Sequence, residues 1–155
     1  VNTIIDNDLL SIQEARILAE NAREAQKLLA AFPQEKLDEI VDHMAEEIGK
    51  YARELAVMSS EETDYGVWQV KNRFVCEYLR EKLRGLRCVG IIARDEAKKT
   101  IDVGVPIGVI ASLCPATSPV STTIYKVLIA IKSGNSIIVS PIRVPRKPSA
   151  VCWTS

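Results

Sequence analysis

Four hydroxyl side chains gather in one short stretch and could hydrogen-bond a ligand: Thr117, Ser118, Ser121 and Thr122. Pro115 and Pro119 bracket the start of this stretch, so the chain must turn there. An apolar run precedes the turn and a helical apolar pattern follows it. In α/β units, ligands bind where the carboxyl end of a strand meets the amino end of a helix. This loop is therefore the candidate binding site.

The segments around the loop predict how it is positioned. Residues 107–113 are rich in Ile and Val, which is typical of a strand buried on both faces. Residues 120–132 carry an apolar stripe at helical spacing, formed by Ile124, Leu128 and Ile131. Gly134-Asn135 then predicts the helix end, and residues 136–139 form a second apolar run. The pattern predicts a βαβ unit with parallel strands and a right-handed crossover.

The glycine fingerprint of dinucleotide-binding units, G-x-G-x-x-G, is absent from this loop. The residues alone therefore leave two interpretations open. The loop is either a ligand site or part of an α/β core whose Ser and Thr side chains only cap a helix.

Two motifs around the predicted helix resemble the aldehyde dehydrogenase superfamily, and most of all its coenzyme A-acylating branch. Residues 114–122 read C-P-A-T-S-P-V-S-T, where that branch typically has I-P-S-T-N-P-T-S-T. Residues 134–141 read G-N-S-I-I-V-S-P, where the branch has G-N-A-I-I-F-S-P followed by H-P-R. The chain departs from the pattern at Cys114, Ala116 and Ser118, and everywhere after Pro141. The resemblance extends over residues 11–141.

The resemblance implies an α/β fold with N-terminal helices, a hairpin and the first βαβ unit of an aldehyde dehydrogenase cofactor domain. Residues 1–141 would form the N-terminal part of that cofactor-binding domain. Residues 89–93 and 100–105 alternate around a polar link and predict the hairpin. In the family, the matching strands serve subunit assembly. The parent is expected to be a homo-oligomer, either a stand-alone enzyme or part of a fused aldehyde-alcohol dehydrogenase.

The resemblance also implies the chemistry. In this branch a cysteine thiolate attacks an aldehyde to form a thiohemiacetal, hydride passes to NAD, and coenzyme A takes the acyl group from the resulting thioester. The substrates would be a short aldehyde, or an acyl-CoA in the reverse direction. The positions that match cofactor-binding residues are Thr117, Ser118, Pro119, Ser140 and Pro141. Thr117 also matches the loop position that steadies the oxyanion.

None of the four cysteines fits the motif of the family's nucleophile, which lies downstream in a separate catalytic domain. Cys114 is next to the loop, but the family has Ile or Val at this strand end, so we interpret it as a small buried hydrophobe. Cys76 falls in a predicted helix and Cys152 in the last residues of the chain. We expect no catalytic residue and no dehydrogenase activity in this chain alone. His43 is the single histidine and is predicted to lie on a helix surface, so no metal site is expected.

Charge and hydropathy argue against several classes of partner. The chain has 20 basic and 20 acidic side chains, so its composition does not indicate nucleic-acid binding. No apolar run is long enough to cross a bilayer, and the N-terminus lacks the pattern of a secretory signal. We predict a cytosolic protein. The interior of a bacterial microcompartment is the alternative, because some acylating aldehyde dehydrogenases are targeted there by an N-terminal helix.

Three amphipathic helices are predicted before the hairpin and are interpreted as scaffold. Ser11 and Glu14 fit a capping box at the start of the first helix. Pro33 closes that helix and can open the second, which is marked by apolar positions within residues 37–55. A third apolar pattern ends at Gly85.

Residues 142–155 differ in character from the rest of the chain and are expected to form an aberrant, disordered tail. Their first half is basic and broken by proline, without periodicity. We predict that a single-base deletion near codon 141 produced this segment. If one base is restored after the first two of that codon, permitted codons for the same residues read H-P-R-A-K-E-T-I-G-R-V-L-D-I. That reading resumes the S-P-H-P-R-A-K motif of the acylating branch.

Sequencing the gene again from independent template tests this prediction. Finding the base would identify a sequencing error, and confirming its loss would identify a genuine truncation. A confirmed reading with no dehydrogenase frame downstream would contradict both. It would favour the alternative function, a non-catalytic helical interaction protein with a degenerate dinucleotide-binding fold.

Overall fold

The computed structural model describes residues 6–63 and 77–141. The elements in chain order are α1 (Asn7–Leu29), α2 (Gln34–Thr63), α3 (described over residues 77–83), β1 (Gly90–Asp95), β2 (Thr100–Gly104), β3 (Val109–Cys114), α4 (Pro119–Lys132) and β4 (Ser136–Pro141). This order confirms the predicted helices, hairpin and βαβ unit. The predictions for Cys76, Cys152, residues 142–155 and the start of the third helix lie outside the described residues.

Helix α1 begins about one turn before the predicted capping box. Asp6 is the N-cap residue, and its Oδ1 accepts hydrogen bonds from the backbone N–H groups of Asp8, at 3.0 Å, and Leu9, at 3.1 Å. Ser11 lies inside the helix, where its Oγ donates to the backbone oxygen of Asn7 at 2.9 Å. The prediction of Ser11 as the cap is therefore wrong. A carboxylate is a strong cap at the positive end of a helix, so Asp6 lets the helix start earlier.

The hydrophobic core lies between α2, α3 and α4. Its buried members are Val41, Ala45, Leu79, Ile124 and Leu128. The predicted stripe of α4 is confirmed, since Leu128 is 0% and Ile124 is 5% exposed and Ile131 packs against them. Burying a side chain of this size stabilises the fold by roughly 1.5–3 kcal/mol. These contacts with α2 hold α4, and with it the loop at its amino end.

Strands β3 and β4 pair in parallel, and α4 connects them, which confirms the βαβ unit. The prediction that the first strand is buried on both faces is wrong. Ser112 and Cys114 are buried, whereas Leu113 is 67% and Val109 is 39% exposed. In the described part of the chain, the packed elements cover only alternate side chains of β3. The strand also starts at Val109 and not at residue 107, directly after Gly108, whose φ is +123°.

The turn from α4 to β4 has the geometry that its Gly-Asn sequence predicts. The backbone N–H of Asn135 donates to the oxygen of Ala130 at 2.8 Å, and that of Gly134 donates to the oxygen of Ile131 at 2.9 Å. This pair of bonds is a Schellman motif, with Gly134 at a φ of +71°. A Cβ atom at Gly134 would also come within 3.0 Å of Pro106 Cγ. Glycine is therefore favoured by its positive φ, and a side chain here would also crowd Pro106.

Strands β1 and β2 form the predicted antiparallel hairpin. In its turn, Asp95 Oδ1 accepts hydrogen bonds from the backbone N–H groups of Ala97 and Lys98, each at 3.0 Å. The Lys98 N–H, and then its ammonium, lower the pKa of Asp95 below its ordinary value. Apolar side chains of the hairpin are open to solvent, including Ile101 at 53% and Val103 at 58% exposure.

The isolated chain is expected to self-associate and to bind an apolar dye. Val105 is 74%, Ile107 is 90% and Leu113 is 67% exposed, and the strands leave unpaired edges. Light scattering after size-exclusion chromatography and the fluorescence of anilinonaphthalene sulfonate measure these two properties. A monomer that binds no dye would contradict the prediction.

Candidate functional site

The carboxyl ends of β3 and β4 lie level with each other, because the register pairs Leu113 with Ser140 and Cys114 with Pro141. We call this the carboxyl edge of the βαβ unit. The loop of residues 115–118 leaves it and enters α4. The structure places the five sequence-predicted cofactor positions in this loop, at the start of α4 or at the end of β4: Thr117, Ser118, Pro119, Ser140 and Pro141. Thr117 and Ser140 are exposed, so both can reach a ligand from solvent.

The amino end of α4 is not capped by a side chain. Ser118 is the N-cap residue, but its hydroxyl makes no bond to the helix N–H groups and pairs with Thr122 Oγ1 at 3.2 Å. Pro119 has no N–H, so Val120 and Ser121 present the first N–H groups at the positive end of the helix dipole. The interpretation that these hydroxyl residues only cap the helix is wrong for Ser118. The backbone donors at this end are available to an anion.

Cys114 is a free, buried cysteine at the carboxyl edge. It is 2% exposed, which confirms its interpretation as a small buried residue. Thr123 Oγ1 donates to the backbone oxygen of Pro119 at 2.8 Å and lies 3.2 Å from Cys114 Sγ. Reactive cysteines are at least partly exposed, so this buried thiol does not have the surroundings of a nucleophile.

Lys126 provides a positive charge at the carboxyl edge, and the sequence analysis assigned it no role. Its Nζ donates to the backbone oxygen of Leu113 at 2.6 Å. None of the salt bridges in the described part of the chain involves Lys126. Lys126 lies about two turns into α4, from where a lysine side chain can reach back to the end of the preceding strand. This position in the sequence could have indicated the contact.

Side-chain amides hold the opposite edge of the βαβ unit. Asn135 Oδ1 accepts from the backbone N–H of Gly108 at 2.8 Å, which fixes the approach to β3. Gln26 of α1 donates from Nε2 to the oxygen of Gly134 at 2.8 Å, and its Oε1 accepts from the N–H of Ser136 at 2.5 Å. These bonds set the start of both strands, and therefore the level at which their carboxyl ends meet.

Gln34, 4% exposed, joins α2 to the end of α4 and to the segment before β1. Its Oε1 accepts from the N–H groups of Cys88, at 2.6 Å, and Val89, at 2.9 Å. Its Nε2 donates to Asp38 Oδ1 at 2.7 Å and to the oxygen of Lys132 at 3.2 Å. The ammonium of Lys132 also binds Asp38 Oδ1, at 2.6 Å, although its side chain is only 3% exposed. This network was not predicted from the sequence, because no local pattern indicates hydrogen bonds between residues that are far apart in the chain.

In residues 6–63 and 77–141, no three His, Cys, Asp or Glu side chains lie close enough together to hold a metal ion. His43 is exposed on α2, as predicted. No helix in these ranges is both long and apolar enough to span a membrane.

Comparison with protein families decides the identity of the fold. The family described as "Aldehyde dehydrogenase family" matches residues 3–145. The chain belongs to this family. The resemblance inferred from the two motifs is thereby confirmed.

The relatives of the chain include acylating enzymes. It is 34% identical to the bifunctional aldehyde-alcohol dehydrogenase AdhE of Escherichia coli K12 over 134 residues, which is 84% of this chain and 15% of that protein. It is 33% identical to the succinate-semialdehyde dehydrogenase (acetylating) of Clostridium kluyveri over 148 residues, which is 91% of this chain and 31% of that protein. The chain therefore spans less than a third of the length of these two relatives.

Solved structures agree with the fold. An acetylating aldehyde dehydrogenase from Geobacillus thermoglucosidasius superposes with a TM-score of 0.85 and 39% identity, over 90% of this chain and 31% of that one. A probable aldehyde dehydrogenase from Listeria monocytogenes gives a TM-score of 0.84 and 45% identity, over 89% and 31%. These matches confirm the predicted fold and the similarity to the acylating branch.

Proposed function

We propose that residues 1–141 are the N-terminal part of the cofactor-binding domain of an NAD-dependent, coenzyme A-acylating aldehyde dehydrogenase. The enzyme would convert a short aldehyde, NAD and coenzyme A to acyl-CoA and NADH, or run in reverse. The chain alone would be inactive, because no cysteine in it fits the nucleophile's motif. The observation that carries the proposal is the open carboxyl edge, with its uncapped helix, in a chain whose relatives include acylating enzymes.

The residues present fit NAD. The free N–H groups at the amino end of α4 would hold the pyrophosphate, and the ammonium of Lys126 would favour negative charge nearby. Ser140 and Pro141, at the end of β4, would face the adenosine half. Thr117 would face the nicotinamide end and donate to the oxyanion. Bound NAD supplies the hydride acceptor, and coenzyme A supplies the thiol that takes the acyl group.

We also propose where the protein acts and in what assembly. A propionaldehyde dehydrogenase from a bacterial microcompartment of Clostridium phytofermentans is 26% identical with a TM-score of 0.63. The proposed location is the cytoplasm, and the alternative is a bacterial microcompartment. The parent enzyme is proposed to be a homo-oligomer. No nucleic-acid or membrane partner is proposed. Residues 142–155 are proposed to depart from the family; the family match extends to residue 145, so residues 146–155 lie outside it.

Ser118→Asp is expected to weaken NAD binding by about tenfold, because a carboxylate at the N-cap takes the free N–H groups and repels the pyrophosphate. The same substitution should stabilise α4 by about 0.5–1 kcal/mol, since Asp is a good cap at the positive helix end. Saturation-transfer NMR on NAD protons measures the binding, and thermal unfolding measures the stability. A loss of binding with a gain in stability separates a blocked site from a damaged fold.

Ser118→Asn is the matched control, because it caps the helix without a charge and should keep most of the binding. Equal binding by the wild type and both variants would contradict the proposed site.

In a parallel assay with acetaldehyde, NAD and coenzyme A, the chain should form no NADH. Turnover that disappears in Cys114→Ala would overturn both the expected inactivity and the structural role of that thiol.

A further inference from the structure

One hydroxyl side chain on α4 links the two ends of the loop of residues 115–118. Thr123 Oγ1 lies 3.2 Å from Sγ of Cys114, the residue before the loop, and it donates to the backbone oxygen of Pro119, the residue after it, at 2.8 Å. Cys114 is one of the positions where the chain departs from the acylating pattern, which typically has isoleucine there. A thiol can share a hydrogen bond with a hydroxyl. An isoleucine side chain could not make this link.

Two further bonds from α4 hold the same loop. Lys126 Nζ donates to the backbone oxygen of Leu113 at 2.6 Å, and this bond is charge-assisted and therefore stronger than one between neutral groups. The hydroxyls of Ser118 and Thr122 pair at 3.2 Å. Thr117 lies between these anchored ends, and its side chain is exposed. The ends of the loop are thus fixed, while the residue proposed to face the nicotinamide end remains open to a ligand.

The helix itself does not need the hydroxyl of Thr123. A bond from a threonine side chain to the carbonyl oxygen four residues earlier uses an acceptor that the helical backbone also uses, and such bonds slightly weaken a helix. The packing of this turn on the core comes from the next residue, Ile124, which is 5% exposed. Loss of the hydroxyl should therefore affect the loop and leave the stability of the fold nearly unchanged.

We propose that Thr123 is a positioning residue of the proposed cofactor site, which fixes the loop so that Thr117 meets the ligand in one conformation. A loop that is held in place before the ligand arrives loses less conformational freedom on binding, and the ligand therefore binds more tightly. Lys126 acts on the same loop through the backbone oxygen of Leu113. This inference rests on the proposed function, since it assigns a role within the same site.

Thr123→Val tests the inference, because valine has nearly the shape of threonine but no hydroxyl. The variant should bind NAD about fivefold more weakly than the wild type in saturation-transfer NMR, with an unchanged urea midpoint. Thr123→Ser restores the hydroxyl and should restore most of the binding. Thr100→Val makes the same exchange at an exposed threonine of β2 and should change neither quantity. A valine variant that binds NAD as tightly as the wild type, or a serine variant that binds no better than the valine variant, would overturn the proposal.

A double variant shows whether Lys126 acts on the same loop. Lys126→Met also removes a charge, so its own effect on NAD binding combines two causes. If both residues hold one loop, adding Thr123→Val to Lys126→Met should weaken NAD binding by less than about twofold further, because the loop is already loose. Effects that multiply in full would overturn the shared role and leave Lys126 acting by its charge alone.

The order of the loop can also be measured without a ligand. Relaxation of the Thr117 methyl group in the ¹³C-labelled chain reports picosecond-to-nanosecond motion, and relaxation dispersion reports exchange between microseconds and milliseconds. The motion should increase in Thr123→Val and return to the wild-type level in Thr123→Ser. Unchanged motion in the valine variant would overturn the inference whether or not NAD binds. A wild-type chain that binds no NAD, with added motion in the valine variant, would overturn the proposed function and confirm that Thr123 holds the loop.

Discussion

Replacing Asn135 with alanine is expected to lower the free energy of unfolding by about 2–4 kcal/mol, because it leaves partly buried hydrogen-bonding groups without partners. Asn135 is 3% exposed. Its Oδ1 accepts from the N–H of Gly108, and its Nδ2 donates to the backbone oxygen of Ser133, at 3.1 Å, and to Ser133 Oγ, at 2.8 Å. The alanine variant loses all three bonds and opens a gap where α4, β4 and the approach to β3 meet.

Urea unfolding followed by far-ultraviolet circular dichroism at low protein concentration measures this loss. Asn21→Ala is the matched control, because Asn21 is exposed on α1 and its removal should cost no more than about 0.5 kcal/mol. Asn135→Asp keeps the acceptor for Gly108 and should lose less stability than alanine. If the alanine variant unfolds at the same urea concentration as the Asn21 control, Asn135 does not hold the two strands in place.

The parts of this fold that could be predicted from the sequence are those governed by local rules. Gly134-Asn135 predicted the end of α4, because a left-handed residue is sterically costly for anything but Gly or Asn. The stripe of Ile124, Leu128 and Ile131 predicted the buried face of the same helix. Once the βαβ order was read, topology placed the loop at the carboxyl end of the first strand, and the resemblance to the family added Ser140. Local patterns, this topology and the resemblance together located the candidate site.

Predictions from the sequence failed where two alternatives differ little in free energy, and where a contact joins residues that are far apart in the chain. Asp6 and Ser11 are both good caps, and the choice between them depends on differences of about 1 kcal/mol. Burial of β3 on both faces depends on other elements that pack against each face. The periodicity of the strand itself does not show whether such elements are present. The bond from Gln26 to Ser136 spans 110 residues, and no pattern in either segment indicates it. The role of Lys126 was missed for a related reason. Its contact is with the backbone oxygen of Leu113, and the position of that oxygen cannot be deduced from the sequence.

The two partners of the buried ion pair are expected to respond unequally to removal. Asp38→Asn should lower the free energy of unfolding by about 2–3 kcal/mol, because it leaves the ammonium of Lys132 buried without a counter-charge. The side chain of Lys132 is 3% exposed, whereas that of Asp38 is 38% exposed. Lys132→Met should cost less than about 1 kcal/mol, since methionine fills similar space and the carboxylate left behind reaches water.

A double-mutant cycle distinguishes this asymmetry from a simple sum of lost contacts. The variant with both Asp38→Asn and Lys132→Met should be about as stable as Lys132→Met alone, because no charge then remains buried. Gln34 still donates to the amide oxygen at position 38, so its links to Cys88 and Val89 should persist in every variant. Urea midpoints and slopes of the four proteins give their free energies of unfolding, and these give the coupling energy. The contrary outcome is an equal loss of stability in the two single variants, with the double variant losing the sum of both. In that case the desolvation of Lys132 does not govern this site, and the pair acts as an ordinary surface salt bridge.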